Sequence, residues 1–213
     1  KQNYHIDCTI DIVCKKTFTA KFWIKSPEAS KYDLYDAKDY IRGRKVETTE
    51  KATIGSKEVI NGITYVLDGW YPENAGGGAC GDQKITTWPY LPKNTELADG
   101  TVNFYAHYTP LYTSVDIKKS VTGNMGDKGK KFNFTVSVIN GRNTNLPFKI
   151  GEIQYEKPTT ITLSDDQTTT LKQVPVGATV TITEDDYSND RYTPSYAIDG
   201  KPSGTNNREA KIT

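Results

Sequence analysis

A lysine stands at an inward position of the predicted strand "SVDIKKSV", which begins at residue 114. Side chains of a strand alternate between its two faces, so Lys119 shares a face with Val115 and Ile117. A lysine is almost never fully buried unless another group pairs with it or its chemistry is altered. The position therefore demands a partner for the amine or a chemical use for it.

A second predicted strand, "ATVTITE" at residues 178–184, repeats the pattern with an acid. Val180, Ile182 and Glu184 share one face of this strand. Burial disfavours the charged forms of amines and carboxylic acids alike, so the two groups can exist as a neutral amine beside a neutral acid. A neutral amine is a nucleophile, and Lys119 and Glu184 are therefore the candidate reactive groups of this chain.

A carboxamide beside this pair would allow a crosslink between side chains. The protonated Glu184 polarises the carbonyl while the amine of Lys119 attacks its carbon, and ammonia leaves. By analogy with other crosslinks, closing a loop of about 100 residues constrains the unfolded chain by about 4–5 kcal/mol. Two other interpretations stay open: an ordinary ion pair between Lys119 and Glu184 at the rim of a sheet, and a register in which Lys119 reaches solvent.

The segment after residue 115 consists of short alternating runs such as "KFNFTVSV" and "TTITLSD", separated by Gly, Pro, Asn and Asp. This pattern is typical of a β-sandwich. A proline and a change of pattern near residues 108–114 indicate a domain boundary. We therefore predict a mainly all-β chain of two domains, residues 1–112 and 113–213.

The first half is predicted to be β-rich with one short helix. "TFTAKFWIK" and "TVNFYAHYTP" are typical of strands, and "KEVINGITYVLDGWY" predicts two strands joined by a hairpin turn at Asn61-Gly62. Leu34, Ala37 and Ile41 follow a helix-start signal at residues 26–28 with roughly helical spacing. The loop "PENAGGGACGDQ" lacks the pattern of a phosphate-binding loop, so a plain surface loop is expected.

Composition excludes several classes of function. The formal net charge of +1 gives no basic footprint for nucleic acid. No stretch approaches the roughly 20 apolar residues of a membrane span, and no signal-like start is present, so we expect a mature or trimmed segment without membrane insertion. Only two histidines occur and no C-x-x-C pair, which argues against zinc. No catalytic constellation indicates an enzyme, and we expect neither metal nor cofactor.

Three cysteines are too few for a disulfide framework, and because their number is odd at most one bridge can form within the chain. Cys8 and Cys14 lie about six strand residues apart, which is beyond disulfide reach. A bridge, if one forms, joins Cys80 to one of them; three free or buried thiols are the alternative.

The segments "KSVTGNMGDKGKKFNFTVSV" and "VPVGATVTITE" resemble the lysine-bearing and glutamate-bearing strands of the B-type repeat domains of Gram-positive collagen adhesins and backbone pilins. This resemblance covers residues 114–213 and implies an immunoglobulin-like sandwich in a sortase-anchored surface protein. It also implies an autocatalytic Lys–Asn isopeptide bond, with Lys119 as nucleophile and Glu184 as acid. The family's asparagine lies in a final strand of pattern F-x-N-x, whereas this chain reaches "TNNREAKIT". We therefore expect the last strand to be lacking, with Asn206 and Asn207 as the nearest acceptor candidates.

The segments "YVLDGWYPENAGGGACGDQ" and "GTVNFYAHYTP" resemble the small β-grasp repeats of bacterial surface proteins, over residues 18–110. The resemblance implies that Trp70 is a core residue, and the same is expected of Trp23 and Trp88. "WPYLPKN" resembles, with Leu91 interrupting it, the Y-P-K-N motif whose lysine is joined to the next subunit of a pilus. Lys93 is therefore a candidate pilin lysine, with an exposed proline-rich loop as the alternative.

The run "EDDYSND" places oxygen atoms at Asp186, Ser188 and Asp190, a spacing compatible with calcium. It lacks the later bidentate acid and the turn glycine of calcium loops, so a solvated turn is expected.

The sequence thus favours two tandem β domains of an extracellular adhesin or pilin-like protein, held on a Gram-positive cell wall through regions outside this chain. The expected role is structural and adhesive. Expected partners are neighbouring domains of the same surface protein and a host or matrix protein or glycan. The alternative is an extracellular carbohydrate-binding module, since exposed Trp and Tyr stack on sugar rings; buried tryptophans favour the stalk instead.

Overall fold

The computed structural model describes residues 16–27, 29–50, 53–74 and 80–213. Within these ranges the chain is built from strands, with only two short 3-10 turns, Asn94–Leu97 and Ser188–Asp190. The described strands, in chain order, are β1 (Thr17–Ile24), β2 (Asp33–Ile41), β3 (Lys57–Ile60), β4 (Ile63–Pro72), β5 (Thr101–Pro110), β6 (Tyr112–Lys118), β7 (Phe132–Ile139), β8 (Phe148–Ile150), β9 (Ile153–Tyr155), β10 (Thr159–Leu163), β11 (Thr168–Pro175), β12 (Thr179–Glu184), β13 (Ser195–Ile198), β14 (Lys201–Thr205) and β15 (Glu209–Ile212). Among the described residues, no helix has the length and apolar character needed to cross a bilayer.

The chain divides into two compact units. The first comprises the described residues up to Gly55 together with Leu67–Tyr108, and the second comprises Ser56–Val66 with Thr109–Thr213. The hairpin at residues 56–66 therefore belongs to the second unit although the chain returns to the first unit after it. The domain boundary between residues 112 and 113, expected from the sequence, stays a prediction.

The first unit is organised around a mixed sheet of order β2-β1-β5-β4-β3, whose last hairpin is the one assigned to the second unit. Its central strands β1 and β5 run parallel, as in a β-grasp sheet, while β1 pairs antiparallel with β2. Alternation along β1 sends Phe18, Ala20 and Phe22 to the buried face. Loop residues cover that face, among them the buried Val46, Ile85 and Leu97.

The predicted helix after residue 28 is wrong, because this segment forms strand β2. It pairs with β1 from Thr17↔Ile41 to Ile24↔Asp33. The apolar residues with helical spacing do not form a buried stripe, since Leu34 is 51% exposed and Ile41 is 39% exposed. Backbone pairing along the edge of the sheet outweighs a weak helical pattern in a segment that also carries strand-forming tyrosines.

The second unit is an immunoglobulin-like β-sandwich, as predicted. One four-stranded sheet has the order β10-β7-β12-β15 and the other β6-β11-β8-β9, and β13 and β14 form a separate hairpin. Side chains from both sheets share one core, which includes Phe132, Val136, Phe148, Leu171 and Val180. The period-2 burial of β7 shows how the sequence produces this architecture, because alternate residues face the core and the remainder face outward.

The hairpin turn predicted at Asn61-Gly62 is confirmed. Ile60 pairs with Ile63 across the turn, and both turn residues have positive φ, 50° for Asn61 and 83° for Gly62. These values fit a type I′ turn, which matches the twist of the strands. Within the second unit, the Gly141 amide donates to Asn61 O at 2.8 Å and the Thr64 amide donates to Val176 O at 2.9 Å.

The raised pKa values of two tyrosines provide a test of the packing of the first unit. Burial is the main cause that raises the pKa of Tyr71 and of Tyr105 to about 12. The nearby carboxylates, Asp68 for Tyr71 and Glu73 for Tyr105, add to this through charge repulsion and hydrogen bonding. The hydroxyl of a tyrosine in the unfolded chain has a pKa of about 10. The contribution of the raised pKa to the free energy of unfolding is therefore complete below about pH 10 and is lost as the pH rises toward 12. Ultraviolet titration of tyrosinate should therefore show a late step; a single step near the ordinary value with the fold intact would contradict the packing.

Candidate functional site

Lys119 and Glu184 meet in the space between the two sheets of the sandwich. Lys119 follows β6 directly, and Glu184 is the last residue of β12, so each comes from a different sheet. The Nζ of Lys119 lies 2.6 Å from Oε1 of Glu184. The side chains are only 15% and 11% exposed, which makes this a nearly buried charge-assisted contact.

The backbone around each group continues the strand hydrogen bonding and so fixes where its side chain begins. The Lys119 amide donates to Gln167 O at 3.0 Å, and the Asp166 amide donates to Lys119 O at 2.9 Å. On the opposite sheet, Glu184 stands across from Phe134 in the antiparallel pairing of β12 with β7. The pair is therefore positioned by backbone hydrogen bonds at the ends of β6 and β12.

Aromatic rings form the remaining surroundings of the amine. The Nζ of Lys119 lies 4.2 Å from the ring centroid of Phe132 and 5.7 Å from that of Phe134. Ring faces attract a cation and at the same time exclude water. The amine is thus held between a carboxylate and two apolar faces, an environment in which the loss of any one partner is costly.

A cavity of about 590 Å³ adjoins the pair. Lys119 and Glu184 belong to its wall, together with the segments 120–126 and 190–195 and the residues Asp185 and Tyr187. A space of this size holds several side chains rather than a single water molecule. The amine and the acid are therefore within reach of a further group that enters from this side.

Asn206 and Asn207 lie in an exposed turn between β14 and β15. Oδ1 of Asn207 accepts a hydrogen bond from the Glu209 amide at 3.0 Å, and the Asn206 amide donates to Pro194 O. No contact in the described part of the chain joins either carboxamide to Lys119. The residues after this turn form β15, which pairs antiparallel with β12 from Thr183↔Glu209 to Val180↔Ile212.

A second lysine at the same end of the sandwich carries no signal in the sequence pattern. The Nζ of Lys130 lies 2.8 Å from Oδ2 of Asp190 and within 5.0–5.8 Å of the ring centroids of Phe132, Tyr187 and Tyr192. Its hydrogen bond with Asp190 is the main cause that raises the pKa of Lys130. Only the folded arrangement of the β12–β13 connection brings these rings together, so sequence spacing could not have identified them.

The oxygen atoms of "EDDYSND" are used by the protein itself. Oδ1 of Asp186 accepts from the Ser188 amide at 2.9 Å, and Asp190 pairs with Lys130. Within the described ranges, no group of three or more His, Cys, Asp or Glu side chains is placed to hold a metal ion.

The other predicted positions are scattered over the first unit. The exposed Lys93 precedes the 3-10 turn Asn94–Leu97, and its amide donates to Oε2 of Glu96. Cys80 is a free, half-buried thiol, while Cys8 and Cys14 lie outside the described residues.

The three tryptophans do not share one surface. Trp70 is fully buried and packs edge-on against Phe22, and Trp88 contacts the same core through Phe104. Trp23 contacts Tyr105 instead, at 6.3 Å between ring centroids. The prediction that the tryptophans are core residues therefore holds for Trp70 and Trp88, whereas Trp23 packs against Tyr105 and does not belong to that core.

A family model and a curated protein match parts of this chain. A family model described as Domain of unknown function (DUF7601) matches residues 113–213. A curated pilin of Streptococcus pyogenes serotype M1 is 29% identical over 104 residues, which cover 40% of this chain and 29% of the pilin. The chain thus spans less than a third of the length of that relative.

Solved structures match this chain at lower sequence identity. A pilus-presented adhesin (Cpa) is 20% identical with a TM-score of 0.41, over 53% of this chain and 26% of the adhesin. The major pilin of Streptococcus pyogenes is 14% identical with a TM-score of 0.32, over 93% of this chain and 96% of the pilin. The chain is similar to pilins and pilus adhesins of Gram-positive bacteria, as its sequence motifs indicate.

Proposed function

We propose that this chain is a segment of a Gram-positive pilin-like or adhesin-like surface protein, in which the second unit is a stalk domain closed by an isopeptide bond at Lys119. The observation that carries the proposal is the buried contact of 2.6 Å between Nζ of Lys119 and Oε1 of Glu184. The curated pilin supports the class of protein, since it is identical at 29% of the aligned positions.

The proposed reaction needs only groups of the chain and one carboxamide. Glu184 takes a proton from the Lys119 ammonium, and the neutral amine attacks the carbonyl carbon of an asparagine side chain. Glu184 passes this proton to the departing nitrogen and takes the second proton from the attacking nitrogen, the C–N bond of the carboxamide breaks, and ammonia leaves. The product is an amide between the two side chains, and the mass of the chain falls by one ammonia.

The geometry sets the requirements for the acceptor. Its carbonyl carbon must enter from the cavity side, because Phe132 and Phe134 occupy other sides of the amine. Attack requires an approach to about 3–3.5 Å of Nζ. Asn206 and Asn207 are the nearest sequence candidates, and either would have to leave its exposed turn; the acceptor itself stays unidentified.

The whole protein's role follows from the same proposal. The two units extend or present a surface on the cell wall, and they are held there through regions outside this chain. Lys93 is proposed as a point of attachment to a neighbouring subunit, because its side chain is exposed. Host or matrix proteins and glycans are the classes of ligand that such a surface meets.

The intact mass tests the isopeptide bond. We expect the parent protein, measured as this chain and with its natural flanking regions, to be lighter than its sequence mass by one ammonia in at least the longer form. Lys119→Ala and Glu184→Ala should each restore the full sequence mass, and tandem mass spectrometry should place the modified lysine at residue 119.

The neighbouring Lys118 provides the matched control. Its side chain is 56% exposed and pairs with Asp166 on the surface, so Lys118→Ala should leave the mass deficit unchanged. An unaltered sequence mass for the parent in both lengths would refute the crosslink and leave Lys119 and Glu184 as a noncovalent ion pair.

A further inference from the structure

The outer face of the first unit carries a groove that the stalk role does not use. Strands β1 and β5 lie side by side, and their parallel pairing places Lys21 beside Asn103 and Trp23 beside Tyr105. The residues between them, such as Phe22, face the opposite side and form the core. Tyr32 and Glu73 contribute further walls, and the groove has a volume of about 500 Å³.

Three aromatic rings form one wall of this groove. The indole of Trp23 lies nearly parallel to the ring of Tyr105, with an interplanar angle of 14°, and Tyr32 meets Tyr105 edge-on at 4.9 Å. Tyr105 is buried, with 3% exposure, whereas Trp23 and Tyr32 are only partly buried. Tyr105 therefore packs behind the indole of Trp23 and holds its plane, and the partly exposed indole offers an apolar surface to a ligand. The ring of Tyr32 lies 5.0 Å from the Nζ of Lys25.

A chain of hydrogen bonds fixes the polar wall beside the rings. The indole Nε1 of Trp23 donates to Oδ1 of Asn103 at 2.8 Å, and Nδ2 of Asn103 donates to Oε2 of Glu73 at 2.9 Å. The hydroxyl of Tyr105 donates to Oε1 of Glu73 at 3.2 Å. The amide and the carboxylate thus hold defined orientations next to the aromatic surface, which is how a small-molecule site obtains specificity.

The charges around the groove are nearly balanced. Lys21 and Lys31 in its wall and Lys25, whose Nζ lies 5.0 Å from the ring centroid of Tyr32, supply three positive charges, and Glu73 and Asp99 supply two negative charges. A strongly anionic or cationic ligand would gain little net attraction from such a surface. A neutral ligand with an apolar face and many hydroxyl groups matches both the rings and the polar wall.

We infer that this groove binds neutral saccharides. The C–H face of a pyranose ring stacks on the indole of Trp23, while its hydroxyl groups bond to Glu73 and Asn103. The inference is independent of the isopeptide bond, because the groove lies entirely in the first unit and Lys119 lies in the second. Loss of the crosslink would therefore leave saccharide binding intact.

Saturation-transfer NMR with a defined panel tests the inference. The probes are lactose, cellobiose, maltose, chitobiose and N-acetyllactosamine, with sialyllactose as an anionic comparator. We expect saturation transfer to at least one neutral disaccharide, accompanied by a change in tryptophan fluorescence. Trp23→Ala and Glu73→Gln should each weaken that binding by about tenfold or more.

Tyr112→Ala is the matched control, because it removes a half-exposed aromatic ring from the second unit. This variant should bind like the parent. Glu73→Gln preserves side-chain shape and decides the outcome if Trp23→Ala does not fold. Absence of transfer to every neutral probe, binding of sialyllactose alone, or binding that survives both groove variants would overturn the inference.

Discussion

Glu184→Ala is expected to lower the free energy of unfolding of the second unit by about 3–5 kcal/mol wherever Lys119 is not crosslinked. The substitution leaves the Lys119 amine between the rings of Phe132 and Phe134 without its carboxylate, and that side chain is 15% exposed. An uncompensated charge in such a site must either lose its proton or draw water into the sandwich. Both responses favour the unfolded state.

The measurement needs a probe of the second unit alone. All three tryptophans lie in the first unit, so amide hydrogen exchange of β7 and β12 is the appropriate readout during urea denaturation. The double variant Lys119→Met with Glu184→Leu should recover much of the loss, because it removes both charges together. Lys118→Ala, at an exposed ion pair, should change little. Unchanged exchange in Glu184→Ala would show that the pair contributes nothing to stability.

Gly177→Ala is expected to destabilise the second unit by more than about 3 kcal/mol. A Cβ at this position would overlap the carbonyl oxygen of Gly62, which is backbone and cannot rotate away. Residue 177 also has a φ of +88°, a conformation that favours glycine. The hairpin turn at Asn61-Gly62 would have to move off the sandwich, which would draw the buried Ile63 out of its core.

Gly123→Ala separates the steric effect from the backbone effect. Gly123 has a similar φ of +95°, yet nothing lies within 4 Å of a Cβ built there. It should therefore lose only about 1–2 kcal/mol, the cost of a left-handed conformation for a non-glycine residue. Thermal unfolding followed by hydrogen exchange in β3 and β11 compares the two variants. Equal losses of stability in the two variants would show that the turn makes no steric contact with a Cβ at residue 177.

Local rules of the sequence explain which features were predictable. The parity of strands placed Lys119 and Glu184 on inward faces, and the dipeptide Asn61-Gly62 specified a hairpin turn. Both features depend on a few consecutive residues. They needed no knowledge of which strands pair over long distances.

Features that depend on long-range pairing were not predictable. Strand β2 was predicted as a helix because its hydrogen bonds to β1, rather than its own residue spacing, decide its conformation. The groove likewise requires Trp23 and Tyr105 to become neighbours across 82 positions, through a parallel pairing that no local pattern indicates. Glu73 follows β4 directly, and no sequence pattern indicates that it lies beside Trp23 and Tyr105.

The hairpin at residues 56–66 makes the second unit discontinuous along the chain. The chain passes between the two units three times, after Gly55, after Val66 and after Tyr108. Domains that are exchanged by recombination are usually joined by one crossing, so that a single junction separates two complete folding modules. Here a junction at residue 113, where the matched family region begins, would transfer the sandwich without residues 56–66. The transferred module would leave behind the turn that contacts Gly141 and Gly177, and would therefore lose the packing that this turn makes within the second unit.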